Sequence, residues 1–162
     1  TWLAYSDVLR HEAKSRGIEI TRKNLQDLGD KLRKEHGPGV LSKKLIEKMT
    51  SEKSYVVGNI RNPGEVEILR KKFREQFILI MLDAPQEIRF QRLLQRRREK
   101  DPENFEDFKR IEERDLGLRE KSHGQQHAAV FKMADFTIKN EGTFEELREK
   151  VFEMLEKLNI NA

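Results

Sequence analysis

The sequence contains no cysteine and no long hydrophobic run. The absence of cysteine excludes a disulfide scaffold, a thiolate zinc site and a cysteine nucleophile, and it favours a cytoplasmic protein. No apolar stretch approaches the roughly 20 residues that a transmembrane helix needs, so we expect no membrane partner. No signal peptide, internal repeat or Ser/Gly linker is visible either.

Charged residues are the most abundant class that the sequence does contain. Among 162 residues, 33 are Lys or Arg and 29 are Asp or Glu, which gives a formal net charge of +4. Hydrophobic residues make up 36%, a low fraction that still suffices for a core at this length. The length predicts a single domain, residues 1–162.

Four short apolar segments alternate with helical patterns along the chain. The candidate strands are residues 2–5, 55–57, 77–82 and 136–138. The run at 77–82 is continuous and predicts a strand that is buried on both faces. Strands separated by helices predict a three-layer α/β fold, with a mainly parallel sheet flanked by helices. Because such sheets bind ligands at the carboxyl ends of their strands, the residues that follow each strand are the functional candidates.

Ser6 and Arg10 follow the first candidate strand. Ser6 is a candidate N-cap, and a helix N-terminus beside a strand end offers free N–H groups and a favourable dipole to an anion. Arg10 lies one turn into this helix and is placed to add a bidentate contact. A capped surface helix with an exposed arginine explains the same residues without any ligand.

Arg61 follows the second candidate strand and precedes a strong helix start. Asn62, Pro63 and Glu65 have the spacing of a capping box with proline at the first helical position. Gly58 permits the close approach of a ligand or of another backbone. Arg61 would then lie over the carboxyl edge of the sheet, although an ordinary strand-to-helix loop is an equal alternative.

The helix predicted after the third strand is rich in arginine. Arginine rather than lysine favours a phosphate ligand, because only the guanidinium offers a planar fork. Neighbouring glutamates leave two alternatives open, a solvated basic face and a nucleic-acid-binding surface over residues 89–100. Nucleic acid is the less favoured partner, since no aromatic stacking platform interleaves the basic run. The arginines concerned are Arg89, Arg92, Arg96, Arg97 and Arg98, followed on the next helix by Arg110 and Arg114.

The remaining candidates are a loop, an acid and two histidines. The loop 140–142 follows the last strand, and its backbone is suited to contact a nucleobase, although a turn with a helix cap explains it equally. Asp83 ends the third strand and is a candidate acid near magnesium. His123 and His127 are four residues apart, but a zinc site needs three or four ligands. We therefore predict no metal site built by the protein alone.

Taken together, these residues resemble the P-loop nucleoside and nucleotide kinases of the adenylate kinase-like group. The dephospho-CoA kinase-like and deoxynucleotide monophosphate kinase-like branch is the most similar. Residues 5–10, 55–65, 83–96 and 134–143 carry the resemblance, in family order and across almost all of the chain. The resemblance implies a P-loop NTPase fold with a helical lid at about 96–127, ATP and Mg²⁺ as cofactors, and a small-molecule nucleotide substrate. That substrate would be a nucleoside monophosphate, a deoxynucleoside monophosphate or dephospho-CoA.

The same resemblance implies roles for individual residues. Acceptor binding is implied for Ser6, Arg10, Arg61 and Arg92. Stabilisation of the transferring phosphoryl group is implied for the lid residues Arg96, Arg98 and Arg114. Contact with the ATP base is implied for Asn140, Glu141 and Gly142. This division is chemically coherent, because phosphoryl transfer depends mainly on positioning and on positive charge around the transferred oxygens.

Two features depart from the family pattern. Gly58-Asn59 stands where the family commonly has Asp-Gly, so a carboxylate is missing. No G-x-x-x-x-G-K-[ST] motif occurs, and none of the nine glycines is followed by lysine. In the family this loop follows the first strand and precedes the first helix, so we expect these elements to lie before Thr1 and the sheet to show a gap. The alternative is a relative that has lost the loop and acts as a catalytically inactive scaffold.

Overall fold

Strands and helices alternate along the part of the chain that the structure describes. The computed structural model describes residues 1–96, 102–117 and 124–160. The strands are β1 (Trp2–Ala4), β2 (Val56–Gly58), β3 (Ile80–Asp83) and β4 (Phe136–Lys139). The helices are α1 (Tyr5–Ser15), α2 (Arg22–His36), α3 (Val40–Ile46), α4 (Pro63–Phe73), α5 (Gln86–Arg96), α6 (Phe105–Leu116), α7 (His127–Phe131) and α8 (Phe144–Lys157). The α/β class is therefore confirmed. None of these helices has the length and apolar content that crossing a membrane requires.

The strands pair in parallel, as the alternation with helices predicts. β1 pairs with β2, bringing Ala4 opposite Gly58, and β3 pairs with β4, bringing Asp83 opposite Lys139. Within the described residues the two pairs form separate two-stranded sheets rather than one continuous sheet. Each sheet therefore has its own carboxyl edge, and the loops after β2 and β4 begin there.

β3 is shorter and more exposed than its sequence predicts. It begins only at Ile80, and the side chains of Ile80 and Leu82 are 38% and 53% exposed. The prediction of a strand buried on both faces over residues 77–82 is therefore wrong. Since successive side chains of a strand point to opposite faces, one face of β3 has little cover from the described residues.

The most completely buried part of the core lies between α1, α2 and α3. Leu28 and Leu32 of α2 are buried with Leu41 and Leu45 of α3. The spacing of the leucines on α2 predicts this stripe. Full burial of each such side chain stabilises the fold by about 1.5–3 kcal/mol. Ile60 packs against the same cluster, which fixes the loop after β2 onto a rigid base.

Local hydrogen bonds and tertiary packing decide where the helices begin. The predicted capping box of α4 is confirmed, because the Asn62 side chain accepts from Gly64 N and the Glu65 carboxylate accepts from Asn62 N. The predicted N-cap role of Ser6 is wrong, since α1 begins at Tyr5 with Ala4 as its N-cap. The buried Tyr5 hydroxyl bonds Ser42 Oγ at 2.6 Å, so packing of Tyr5 rather than a side-chain cap sets this helix start.

Aromatic packing joins α5 to α6. The rings of Phe90, Phe105 and Phe108 have centroids between 5.3 and 6.1 Å apart. Aromatic pairs of this kind contribute about 0.5–1.5 kcal/mol each beyond the area that they bury. The contact holds α6 in the place where its last turn, with Arg114 and Asp115, reaches α2.

Candidate functional site

The loop after β2 carries Arg61 to the carboxyl edge of the first sheet. Gly58 ends the strand, and Asn59 turns the chain with a φ of 66°. The indole of Trp2 lies over Gly58, where any Cβ would overlap it. The close approach predicted at Gly58 is therefore made by a side chain of the neighbouring strand.

A buried carboxylate fixes the backbone of this loop. Glu65 Oε2 accepts hydrogen bonds from the backbone N–H groups of Arg61 (2.9 Å) and Asn62 (3.1 Å). Glu65 Oε1 accepts from Arg33 Nε (3.0 Å) and Nη2 (2.8 Å). The two side chains are 0% and 3% exposed, so the pair is closed to water. A carboxylate with four N–H donors holds the Arg61 backbone in one conformation.

The hydrogen-bond network around Glu65 extends to the hydroxyl groups of Ser42 and Tyr5. Ser42 Oγ donates to the backbone carbonyl of Glu65 at 2.8 Å and contacts the Tyr5 hydroxyl. Burial raises the pKa of Tyr5, and the nearby Glu65 carboxylate acts in the same direction. Tyr5 therefore stays neutral and serves as a structural link between α1, α3 and α4.

The Arg61 guanidinium contacts residues that are distant in sequence. Its Nη1 donates to Gln125 Oε1 at 2.6 Å and lies 3.5 Å from Asp115 Oδ2. The side chain is 30% exposed. Burial lowers the pKa of Arg61, and Asp115 opposes this effect. Arg61 remains charged, because an arginine does not lose its proton in a protein.

Asp115 joins Arg61 to α2. Its Oδ2 accepts from Arg22 Nη2 at 2.8 Å, and its Oδ1 accepts from Gln26 Nε2 at 2.7 Å. One carboxylate at the end of α6 thus pairs with a guanidinium from α2 and approaches a second one from the loop after β2.

The segment that precedes α7 completes this group. The backbone N–H of Gln126 donates to Arg61 O at 2.7 Å, and Asn62 Nδ2 donates to Gly124 O at 2.9 Å. His127 comes next, and its Nε2 is buried without a hydrogen-bond partner in the described part of the chain. Burial lowers the pKa of His127 to about 4, and the Arg61 cation contributes in the same direction. We call this group the arginine cluster; it comprises Arg22, Gln26, Arg61, Asp115, Gln125 and His127.

Of the predicted acceptor-binding residues, Arg61 alone belongs to the arginine cluster. Ser6 is the second residue of α1. Arg10 is exposed and donates to Asp7 Oδ1 at 2.8 Å, one turn earlier on the same helix. Arg92 lies at the second sheet instead.

Arg92 holds the loop that was predicted to contact the ATP base. Its Nη1 donates to the carbonyl of Asn140 and its Nη2 to that of Gly142, both at 2.8 Å. Asn140 N donates to Asp83 O at 2.6 Å, which ties the loop to the end of β3. Glu141 between them is exposed. The geometry therefore joins Arg92 to the loop 140–142 rather than to Arg61.

The arginines predicted to contact the transferring phosphoryl group are Arg96, Arg98 and Arg114. Arg96 is exposed and ends α5, whereas Arg98 lies outside the described residues. Arg114 Nη2 donates to Asp27 Oδ1 at 2.8 Å and lies 3.6 Å from Asp30 Oδ2. Arg89 on α5 pairs with both carboxylate oxygens of Glu112 on α6. Ion pairs thus tie α6 to α2 and to α5.

Sequence reasoning missed most of the arginine cluster. Arg22 and Asp115 are 93 residues apart, and Gln26 and Asp115 are 89 apart. No local pattern marks such pairs, because they meet only after the helices have packed. The local sequence around Asp115 carries no signal for these contacts; Asp115 only follows Arg114 directly, one of the residues with a role implied by the family resemblance.

Carboxylates and histidines do not gather into a metal site in the described ranges. No group of three or more such side chains there is arranged to hold a metal ion. Asp83 ends β3 as a single carboxylate, and His123 of the predicted histidine pair lies outside the described residues. A lone carboxylate fits Mg²⁺ only in the form in which the ion also keeps waters and binds phosphates of a substrate.

Comparison with known proteins places the chain in a family. Residues 1–109 match the sequence model of the AAA domain, a P-loop kinase-like family. A UPF0200/UPF0201 protein from Archaeoglobus fulgidus is 38% identical over 160 residues, which cover 96% of this chain and 47% of that protein. The chain thus spans about half the length of this relative.

Other relatives match over most of their length. A UPF0200 protein from Thermococcus onnurineus is 34% identical over 161 residues, covering 96% of this chain and 83% of that protein. A UPF0200 protein from Pyrococcus horikoshii is 30% identical over 164 residues, covering 98% of this chain and 84% of that protein. Together with the match to the AAA domain, these similarities show that the chain belongs to the UPF0200 family, within the P-loop kinase-like superfamily.

Proposed function

We propose that the protein transfers the γ-phosphoryl group of ATP to a small nucleotide-like acceptor, a nucleoside or deoxynucleoside monophosphate or dephospho-CoA. The observation that carries this proposal is Arg61, a guanidinium at the carboxyl edge of a parallel sheet, with its backbone fixed by Glu65. A charged fork in a fixed position is what an acceptor phosphate requires. Membership of a P-loop kinase-like family supports the same reaction class.

Phosphoryl transfer needs little covalent help from the protein. Positioning of the acceptor and stabilisation of charge on the transferred oxygens supply most of the rate. Arg61 would orient the acceptor. Arg96, Arg98 and Arg114 would approach the transferred group from the lid. Because Arg114 pairs with Asp27 and lies near Asp30, this role requires it to exchange these carboxylates for the phosphoryl oxygens.

The second sheet fits the nucleotide donor. Arg92 shapes the loop 140–142 by binding two of its carbonyl oxygens, which leaves backbone groups of that loop to meet the ATP base. Asp83 would hold Mg²⁺ together with the phosphates of ATP. Bound there, the ion would neutralise charge that develops on the phosphates.

We further propose that the phosphate-binding loop of the donor site follows a strand that lies beside β2 on one side and β3 on the other in the complete sheet. The two described sheets are separate, so among the described strands β2 pairs only with β1 and β3 only with β4, which leaves one edge of each available. A strand between them would form hydrogen bonds with both edges and join the two pairs into one parallel sheet.

The test is calorimetric titration of the intact protein with the four nucleoside monophosphates, the four deoxynucleoside monophosphates and dephospho-CoA, together with an ATP-turnover assay on each. We expect one acceptor to bind saturably and Arg61→Ala to weaken it about tenfold or more, since a charged hydrogen-bonding pair is lost. Arg148→Ala, an exposed arginine on α8, is the matched control and should bind as the wild type does. Absence of binding by every acceptor, or an unchanged affinity in Arg61→Ala, overturns the proposal.

The same protein variants distinguish two alternative functions from the proposed kinase. A nucleic-acid-binding surface on residues 89–100 would lose affinity steeply with salt and would tolerate Arg61→Ala. Against it stand the contacts of Arg89 with Glu112 and of Arg92 with the loop 140–142, which engage two of its arginines inside the molecule. An inactive scaffold would bind ligands without ATP turnover.

A further inference from the structure

The arginine cluster contains more positive charge than its internal partners neutralise. Arg22 and Arg61 share the single carboxylate of Asp115, at 2.8 and 3.5 Å. With His127 neutral, the cluster keeps one net positive charge, because two guanidiniums face one carboxylate. Such an excess at a partly exposed position attracts an anion.

The guanidiniums of Arg22 and Arg61 also have N–H groups that make no contact within the arginine cluster. Arg22 and Arg61 are 34% and 30% exposed, and each makes its cluster contacts through one terminal nitrogen. A guanidinium carries five N–H donors in a planar fork. Across the described ranges, neither residue engages its remaining donors in a further side-chain hydrogen bond. Both residues therefore have N–H groups available to donate to the oxygens of a planar or tetrahedral oxyanion.

His127 adds an independent observation. Its Nε2 is buried without a partner in the part of the chain that the structure describes. Gln125 and Gln126, the two residues before it, are both hydrogen-bonded to Arg61, so the chain that leads into His127 is anchored at that residue. A buried polar atom left unpaired destabilises the fold, so a nitrogen in this position is better explained by a ligand that completes its bonding.

We propose that Arg22, Arg61 and His127 together bind a phosphomonoester group, and that Asp115 is the internal carboxylate that this phosphate displaces. A phosphomonoester has three terminal oxygens, enough for one bond from each side chain. In its dianionic form it carries twice the charge of a carboxylate, which favours it in competition for two guanidiniums. The identification of this ligand as the acceptor rests on the proposed function, whereas the phosphate chemistry of the cluster does not.

Displacement of Asp115 has a structural consequence. Asp115 and Arg114 tie the end of α6 to α2 through Arg22, Gln26 and Asp27. When a phosphate takes over Arg22 and Arg61, Asp115 keeps only its bond from Gln26 Nε2. Phosphate binding therefore loosens the tie between α6 and α2 at the moment when the acceptor site is filled.

The substitution that tests this exchange is Asp115→Asn in the intact protein. The amide keeps the size of the side chain and removes its charge. If Asp115 competes with phosphate, inorganic phosphate should bind Asp115→Asn about three- to tenfold more tightly than wild type, since a nearby like charge is gone. A purely structural carboxylate would give unchanged or weaker binding. Glu113→Gln is the matched control, because Glu113 lies on the same helix and is exposed.

The other two residues are tested with the same probe. Arg22→Gln should weaken phosphate binding about tenfold or more, and His127→Gln about threefold or more. The imidazole ¹⁵N resonances of the four histidines report directly on Nε2, with His127 assigned from His127→Gln. We expect inorganic phosphate and AMP to shift the His127 Nε2 resonance along the same saturation curve as binding.

The outcomes separate this inference from the proposed function. A nucleotide that binds and turns over without shifting His127 or depending on Arg22 overturns the inference and leaves the kinase proposal intact. Phosphate that shifts His127 and depends on Arg22, with no mononucleotide bound or converted, sustains the inference and overturns the kinase proposal. Unchanged or weaker phosphate binding in Asp115→Asn overturns the displacement of Asp115.

Discussion

Arg33 and Glu65 form an ion pair that is closed to solvent, with Arg33 Nη2 2.8 Å from Glu65 Oε1. The same carboxylate accepts the backbone N–H groups of Arg61 and Asn62 through its other oxygen. One charge pair between α2 and α4 thus holds the conformation of the residue on which acceptor binding is proposed to depend.

The first prediction concerns the removal of one partner from this pair. Glu65→Gln keeps the side-chain size but leaves the Arg33 guanidinium, 3% exposed, without its main counter-ion. Breaking a buried pair on one side costs about 3–5 kcal/mol. We expect urea denaturation to show a decrease of this size in the free energy of unfolding.

Two further variants distinguish charge from packing. The double variant Arg33→Met with Glu65→Gln removes the unpaired charge and should be more stable than Glu65→Gln alone. Glu67→Gln, an exposed position on the same helix, should change the free energy of unfolding by less than about 0.5 kcal/mol. If the double variant were the least stable of the three, the Arg33 charge would not be the cause.

The second prediction uses two glycines with the same backbone conformation. Gly117 (φ 74°) and Gly17 (φ 65°) both end helices in the left-handed region. A Cβ at Gly117 would overlap the carbonyl oxygen of Gln125, whereas at Gly17 it would meet nothing within 4 Å. Gly17→Ala should therefore cost about 1–2 kcal/mol for the backbone alone. Gly117→Ala should lower the free energy of unfolding by more than Gly17→Ala does, because it adds the overlap with Gln125. Urea denaturation of both variants measures the difference.

Gly117→Ala should also affect the arginine cluster. The new methyl group pushes against the backbone of Gln125, whose side chain accepts the hydrogen bond from Arg61. We expect weaker phosphate binding in Gly117→Ala and unchanged binding in Gly17→Ala. Equal effects of the two substitutions on both stability and binding would contradict this contact.

The local features of the fold were predictable from the sequence. The leucines of α2 repeat at helical spacing and form the buried stripe that this spacing predicts. Asn62 and Glu65 form the capping box that their separation of three residues predicts. The position of Arg61 between a strand end and this helix start predicts it as a candidate ligand-binding residue. These features depend on residues close together in sequence.

The features that sequence reasoning missed depend on packing between distant segments. Asp115 meets Arg22 and Gln26 across about ninety residues, and nothing in the local pattern near Asp115 marks that contact. Ser6 has the residue type of a helix cap, but burial of Tyr5 moves the start of α1 forward. Tertiary packing overrides local preference at both sites.

The third prediction concerns the loop held by Arg92. Arg92→Lys keeps the positive charge but lacks the fork that reaches the carbonyls of Asn140 and Gly142. We expect faster amide hydrogen exchange over residues 140–143, corresponding to a local loss of about 1–2 kcal/mol. Arg148→Lys on α8 is the matched control. Unchanged exchange in Arg92→Lys would show that Asn140 N, bonded to Asp83 O, holds the loop without Arg92.

The fourth prediction is a pH dependence of stability that originates at His127. Burial lowers its pKa in the folded protein from the ordinary 6.5 to about 4. Between these values the unfolded chain binds a proton that the folded protein does not, so stability falls as the pH falls through this window. The slope from this one residue is at most about 1.4 kcal/mol per pH unit.

Urea denaturation between pH 4 and pH 7 measures this slope. Carboxylates with lowered pKa values, such as Glu12 and Asp27, also lose stabilising charge towards acid pH, so the informative quantity is the difference between variants. His127→Gln should lose less stability than wild type between pH 6.5 and pH 4, because it has no imidazole to protonate. His36→Gln, whose side chain is exposed, should follow the wild-type curve. Parallel curves for His127→Gln and wild type would mean that the imidazole reaches water in the folded protein.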